Sequence, residues 1–555
     1  MRLLPLFALV LALPACHGCG LAADPGVKVV VSAMPSTLDW STSDPSSGVN
    51  YPVLLATQKG LTSVTSDNSV APGLAKSWER SLTPEGHERY LFHLRTDVRW
   101  SDGKTPLTAN DFVIGWRRAL QGKERGELGE LLGADAVLAL QAKGVTGPAL
   151  LPALESVGVR AVDPHTLEVL LTRPRTYFLA RLANVYLFFP DPSSDLAGLT
   201  ADQARTYFDR PRDGKPMSLG PFRVEQWDRA GQRVRLVANP ASAFQPPLAK
   251  GETVPKVVTL LKSEVGPPLY DRGRVDFVFV DSAVALGQEK PPDLTRQPLL
   301  STYFLALDTE RPPLNRLEVR QAISQAIDRK ALLHGLLPAS RPDKALLPPN
   351  LPLSANAEDR AQLLSFHPEK AKALLQAAGG VSRPLRLVYR AGDSFVPEVA
   401  IAERIQAQLA AVGVAVTLEP RSDFNAEIAR RDPHGKHVFD LYLRRLGADY
   451  AHPHTFFTLF QRNGNHQTGW EALDGGRAIS RFETLLDEGD GAADPALAQA
   501  RYAAAERLLL KDEAVVVPLY HPDRYYRMRA GLHGLGVDAF NFLSLAQLRV
   551  DEAPR

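Results

Sequence analysis

The sequence predicts an α/β protein of more than one domain, on three observations. Residues 385–389 and 414–418 read as strands flanking a helical stretch at 397–411, where Ile401, Ile405 and Leu409 share a face and Gly413 stops the helix. That β-α-β order implies a parallel pair with a right-handed crossover. The first half instead carries antiparallel signals: two strands within 157–171 around the turn Asp163-Pro164-His165, and a hairpin at 222–238 turning at Arg229-Ala230-Gly231. The chain also holds 44 prolines and 40 glycines among 555 residues, which favours short elements joined by many loops.

From the N-terminus onward, VKVVVS at 27–32 is a β-branched run between Gly26 and Pro35, a strand signal. Residues 51–58 read as a helix and 90–94 as a strand. Residues 108–120 read as a helix with Thr108 as N-cap, Asp111 completing a partial capping box, and Phe112, Trp116 and Ala119 on one face. The Ala/Leu-rich stretch 132–154 reads as helical, and strands follow at 257–261, 275–280 and 301–307. Residues 317–333 form the best amphipathic pattern in the chain, with Val319, Ile323, Ala326, Ile327 and Leu333 near 3.6-residue spacing. Arg320 and Asp328 read as surface charges on it. A short strand at 439–443 opens onto Gly447-Ala448-Asp449-Tyr450. Asp494 caps a helix over 496–510, with Pro495 at its first position, and 514–520 is a buried-type strand.

Composition narrows the function. Hydrophobic residues make up 45% and charged residues 23%, ordinary for a folded chain. With 64 basic against 62 acidic residues the net charge is +2, which offers nucleic acid no broad field; Arg117-Arg118 reads as solvated surface. Cys16 and Cys19 are the only cysteines, so the body has no structural disulfide, cysteine zinc site or cysteine nucleophile. No nucleophile elbow, His-Glu-x-x-His motif or phosphate loop occurs, and acid pairs such as Asp487-Glu488 read as solvated.

The N-terminus carries an export signal. Arg2 precedes the apolar stretch LLPLFALVLAL at 3–13, too short for the ~20 residues that span a bilayer but fitting a signal-peptide core. Leu13-Pro14-Ala15-Cys16 resembles a lipobox, which implies a leader within 1–23, lipidation of Cys16 and attachment to a membrane. Ordinary cleavage near Ala22-Ala23 is the alternative. No later apolar run approaches spanning length.

Three blocks carry a wider resemblance: Val70-Ala71-Pro72-Gly73-Leu74-Ala75-Lys76-Ser77-Trp78-Glu79; then Tyr90 through Arg99-Trp100-Ser101-Asp102-Gly103 and Thr108-Ala109-Asn110-Asp111-Phe112 to Trp116-Arg117-Arg118-Ala119-Leu120; then Asn315 with Val319-Arg320-Gln321-Ala322-Ile323 and Ala326-Ile327-Asp328-Arg329. Weaker agreement lies at Gly220-Pro221-Phe222, Arg272-Gly273-Arg274 and Pro518-Leu519-Tyr520. In order and approximate spacing across most of 30–545 these resemble solute-binding protein family 5, the oligopeptide- and dipeptide-binding subunits of bacterial ABC importers. Read physically, most of the blocks are structural. Trp78, Trp100 and Trp116 are core candidates, and Ser101-Asp102-Gly103 is a turn.

The resemblance implies a two-lobed periplasmic-binding-protein fold of type II with an extra subdomain in the first lobe. The first lobe would be 27–300, with the insert at about 50–185; the second lobe would be 302–520, and 521–555 would return to the first. The strand 301–307 and the stretch near Tyr520 would be the crossings. The implied function is extracytoplasmic capture of short peptides, without catalysis or cofactor, by a monomer that delivers them to an ABC permease and ATPase complex. Leu446-Gly447-Ala448-Asp449-Tyr450 matches the family segment whose aspartate holds the peptide α-ammonium, so Asp449 is the expected partner for that charge, which is costly to bury unpaired. Arg445 to Gly447, and Ser32, Ala33 and Met34 from the other lobe, would pair with the peptide backbone, with Ala448 and Tyr450 beside them. Leu446 replaces a common tryptophan. The arginine some members use for the peptide carboxylate has no match: Leu443 stands at that spacing, with Arg444 and Arg445 one and two positions off, and a one-residue slip reverses a strand's face.

Rival readings keep the receptor and change its cargo or use. His452 and His454, two apart, would share one side of an extended chain and could bind a metal. A metal complex, a sugar or another solute, or service as a sensor, remain alternatives within the family.

Overall fold

In the computed structural model the described residues are 26–42, 50–122, 128–183, 188–199, 201–280, 291–337, 340–391 and 397–552. The expected leader at 1–23 and Cys16 lie outside them.

Two sheets organise the molecule. The first has seven strands in the order Leu294–Pro298, Asp523–Met528, Phe277–Val280, Val27–Val31, Val257–Lys262, Arg233–Ala238 and Phe222–Asp228. Val27–Val31 pairs in parallel with Val257–Lys262 and Phe277–Val280, and the 222–238 hairpin forms one edge. A separate four-stranded antiparallel sheet, Ala75–Leu82, Glu88–Leu94, Thr166–Leu171 and Val159–Asp163, shares its apolar core, in which Trp40, Trp100 and Trp116 are buried and against which Trp78 packs. The second large sheet has six strands: Arg341–Pro342, Val516–His521, Ser301–Leu307, Leu441–Gly447, Leu385–Arg390 and Val416–Arg421. It carries a core on each face. Phe304, Val388 and Tyr442 point into one; Leu305, Leu387 and Leu441 into the other. Ser301–Leu307 is therefore buried at every residue, as its unbroken run STYFLAL suits.

The chain passes between the large sheets twice. It leaves the first after Pro298 and enters the second at Ser301; it leaves the second after His521 and re-enters the first at Asp523. The crossings touch, since the Leu299 amide donates to the Pro522 carbonyl at 3.2 Å.

Local rules explain several elements. Thr108 and Asp111 close a full capping box on Ala109–Ala119. In the Ser101-Asp102-Gly103 turn, Gly103 takes φ +71° and Asp102 Oδ1 accepts the Lys104 and Thr105 amides, each at 2.9 Å. Leu385–Arg390 and Val416–Arg421 pair in parallel around the helix Glu398–Ala410, as the β-α-β reading requires.

Four readings need correction. The 132–154 helix breaks at Gly144 and Gly147-Pro148, leaving Ala134–Ala142 and Leu151–Glu155. The 317–333 helix is two, Leu317–Ala326 and Arg329–Leu333; Asp328 is the N-cap of the second, accepting the Lys330 and Ala331 amides. Arg320 is buried, donating to the carbonyls of Leu314 and Glu513. Arg118 is only 12% exposed, lodged against Asp39 and Asp191, 2.8 and 2.5 Å away. Helical spacing cannot separate a solvated charge from one whose partners arrive from distant segments.

Candidate functional site: the interlobe cleft

Topology sets the two sheets edge to edge at the crossings. Val27–Val31, Val257–Lys262, Phe277–Val280 and Leu294–Pro298 run the same way, so their carboxyl ends form the edge from which the chain departs at Pro298. Carboxyl edges are where open α/β sheets hold ligands. Ser32, Ala33 and Met34 follow directly from Val31 at this edge: Ser32 is exposed, and Met34 packs against the first-lobe core. On the facing sheet, Ser301, Gly447 and His521 end their strands at the same crossings.

Leu441–Gly447 outruns one neighbour there. Its antiparallel ladder with Ser301–Leu307 continues to Gly447, whereas its parallel ladder with Leu385–Arg390 covers only Leu441 and Tyr442. The Ala448 amide donates to the Leu300 carbonyl at 2.8 Å. In an antiparallel ladder this turns the peptide groups of 444, 446 and 448 toward the 301–307 strand and those of 443, 445 and 447 toward the opposite edge. A Cβ on Gly447 would meet only Ser301 Oγ, at 3.9 Å, so the face of the strand is open there.

Beyond the strand the segment divides. Asp449 is exposed; its amide donates to Thr455 Oγ1 at 3.0 Å, and the Thr455 hydroxyl lies 3.3 Å from Oδ2. Ala448 and Tyr450 are buried. Tyr450 belongs to a contact between lobes: Arg181 Nη2 donates to its hydroxyl at 3.2 Å, and Tyr177 stacks on its ring at 5.8 Å.

That contact is built by residues 173–181 of the first lobe. The Thr176 amide donates to the Asp490 carbonyl at 2.7 Å, the Tyr177 ring stacks 3.9 Å from that of His454, and Arg173 pairs with Asp487 at 2.8 Å. Asp487 is exposed, as its sequence context suggested, and its pair with Arg173 lies at the solvated rim of the contact. His452 and His454 are buried in the same place. His452 Nδ1 accepts the His454 amide at 3.2 Å and its Nε2 lies 3.3 Å from Thr176 Oγ1; His454 Nδ1 sits 2.8 Å from Asp490 Oδ2. Burial holds His452 down at about 3, against the opposing pull of the Asp490 carboxylate. The histidines serve the interface, each with its ring committed to a different neighbour.

A cavity of about 870 Å³ opens between the lobes near the crossings. Its walls include Gln58 to Gly60, Phe244 and Gln297 from the first lobe, Asn350 from the second, and 538–540 from the returning segment. Across it Asn68 Nδ2 donates to the Asn350 carbonyl at 3.2 Å. None of Ser32, Ala33, Met34 and Arg445 to Tyr450 lines this cavity. It was not singled out from sequence; the one signal was Lys59, a lone cation inside YPVLLATQKGL.

The family model for bacterial extracellular solute-binding proteins, family 5, matches residues 69–468, well over half the chain. The chain belongs to that family. Among curated relatives of this family-5 protein, the probable deoxycholate-binding periplasmic protein YgiS of Escherichia coli (strain K12) is 28% identical over 508 residues, 88% of this chain and 86% of the relative. The periplasmic oligopeptide-binding protein OppA of the same strain is 27% identical over 482 residues, 82% and 80%. Solved structures share the fold: an unliganded open form of the murein tripeptide binding protein MppA (TM-score 0.73, 22% identical, 95% of this chain and 98% of that one) and peptide-bound OppA of Listeria monocytogenes (TM-score 0.67, 21% identical, 96% and 100%). The family-5 chain thus has the two-lobed type II fold that its sequence blocks implied. No helix among the described residues is long and apolar enough to cross a membrane.

Proposed function

We propose that this family-5 protein captures short peptides with a free N-terminus between its lobes and hands them to a membrane ABC permease and its ATPase. The observation that carries this reading is the overhang of Leu441–Gly447 beyond its parallel neighbour, with the Gly447 peptide group directed to the overhanging edge. An extended peptide adds to such an edge as a further strand, whatever its side chains. Asp449, exposed two residues on, supplies the carboxylate for the α-ammonium, with Ser32 to Met34 contributing from the facing edge. The oligopeptide-binding relatives agree with this cargo. Residues 27–300 with 521–555 act as one lobe and 302–520 as the other, binding without catalysis as a monomer. Lipid on Cys16 holds the chain to the membrane where its permease sits.

Native mass spectrometry of the mature protein, followed by denaturation, tests the cargo. A ladder of released short peptides is expected. A single non-peptide mass, such as a bile acid of the kind named for YgiS, would keep the receptor and overturn the peptide reading. The same spectra read the N-terminus: a first residue after Cys16 removes the lipid anchor.

A further inference from the structure

At the end of the six-stranded sheet away from the cleft, Asp308, Glu310 and His437 meet. Ser301–Leu307 starts at the crossings and runs ~20 Å away from them, to Asp308 and Glu310. His437 lies in the stretch that leads into Leu441–Gly447. One oxygen of each carboxylate and one ring nitrogen of His437 all lie within 4.8 Å of one another. Asp308 and His437 are 0% and 2% exposed, and Glu310 is half-buried at the rim.

A plain histidine–carboxylate hydrogen bond does not account for this cluster. His437 Nε2 lies 3.4 Å from Gln467 Oε1. That amide is oriented by its other partners: Oε1 accepts from Arg431 Nη2 at 2.7 Å, and Nε2 donates to Asn465 Oδ1 at 2.6 Å. An oxygen facing the ring calls for a proton on His437 Nε2, which leaves Nδ1 of the neutral ring a bare lone pair. Nδ1 stands 3.1 Å from Asp308 Oδ1, another acceptor. A proton on Nδ1 would not repair the contact, which lacks the alignment of a hydrogen bond: neither His437 Nδ1 nor Asp308 Oδ2 has a hydrogen-bond partner among the described residues. Buried acceptors facing each other are costly. A dication between them removes that cost, since ligands ~2.0–2.2 Å from a tetrahedral ion stand ~3.3–3.5 Å apart.

The surround suits such an ion. Gly469, at φ +65°, lies under the stem of Glu310: a Cβ there would collide with Glu310 Cγ. Gln467 is the outer acceptor that a ligating imidazole uses to fix its ring. The nearby arginines are engaged, Arg311 and Arg383 with Asp440 at 3.4 and 2.5 Å and Arg431 with Gln467. Lys436 Nζ, 3.5 Å from Glu310 Oε1, reaches the cluster from solvent, an exposed ammonium that a dication displaces.

We propose that Asp308, Glu310 and His437 bind one divalent transition-metal ion of the zinc class. An imidazole nitrogen beside two carboxylates selects such ions over calcium and magnesium, which prefer oxygen ligands throughout. Three protein ligands leave a position for water. The ion would clasp the end of Ser301–Leu307 to the stretch that begins Leu441–Gly447, bracing the second lobe at its far end and leaving the cleft untouched. The site stands whatever the cleft holds.

The test is calorimetric titration and thermal unfolding of the chelator-treated mature protein with zinc chloride or magnesium chloride. The parent is expected to bind one zinc ion per chain and to unfold at a higher Tm in zinc than in magnesium. Glu310→Gln and Gln467→Ala alter half-buried residues and are expected to fold and to weaken zinc at least ~10-fold. His437→Gln is expected to abolish binding. No zinc binding by the parent overturns the inference and leaves an Asp308–His437 contact alone. Zinc affinity undiminished in folded Glu310→Gln and Gln467→Ala overturns it by placing the ion elsewhere on the chain. An equal response to magnesium overturns the metal class.

Discussion

Thr176 and Asp490 join the lobes main chain to main chain, the Thr176 amide donating to the Asp490 carbonyl at 2.7 Å. Tyr177, the next residue, is buried between His454 and Tyr450. Truncating a buried aromatic costs about 3–5 kcal/mol, and here that cost falls on the contact between the lobes. Tyr177→Ala should therefore let the lobes separate more freely in the ligand-free protein, seen as a larger radius of gyration by small-angle scattering. A radius equal to the parent's would show that the 173–181 contact does not hold the lobes together.

Arg118 neutralises two carboxylates at once, Asp39 and Asp191, both buried. Arg118→Met would leave them facing each other without a cation, a loss of about 3–5 kcal/mol. Denaturant unfolding should show it as a lower midpoint. A shift below about 1 kcal/mol would mean that water reaches the pair.

His452 sets a pH dependence. Burial keeps its ring neutral in the fold down to about 3, while in the unfolded chain it takes a proton near 6.5. The unfolded state thus gains a proton that the fold refuses, so this stability is present above pH 6.5 and is lost as pH falls toward 3, at up to about 1.4 kcal/mol per pH unit. The His452→Gln variant should lose stability less steeply from pH 6.5 to 4 than the parent. Parallel slopes would reject the assignment.

Asp449→Asn should weaken peptides with a free α-ammonium by ~10-fold or more and leave N-acetylated peptides unchanged. Equal losses for both would place Asp449 in the scaffold, through its Thr455 contacts, and away from the ammonium.

Much of this was legible because local rules dominated. The capping box at Thr108, the turn at Asp102-Gly103 and the β-α-β unit at 385–418 each depend on neighbours a few residues apart. Arg118 and Arg320 were misread for the opposite reason: their partners lie far along the chain, at Asp191 and Glu513. The site divides the same way. The segment around Asp449 is contiguous and could be read from one motif, whereas the Lys59 cavity is assembled from six stretches that only the fold brings together.

The strand Asp523–Met528 lies inside the seven-stranded sheet, between Phe277–Val280 and Leu294–Pro298. During synthesis the first lobe therefore cannot zip up its sheet when its own first three hundred residues have emerged; it must wait for nearly the whole polypeptide, while every strand of the second sheet is already available. The lobe that begins first is the one that finishes last, and until then it holds an unfilled slot with two bare strand edges. A chaperone that keeps the newly made chain from aggregating would have this gap to guard.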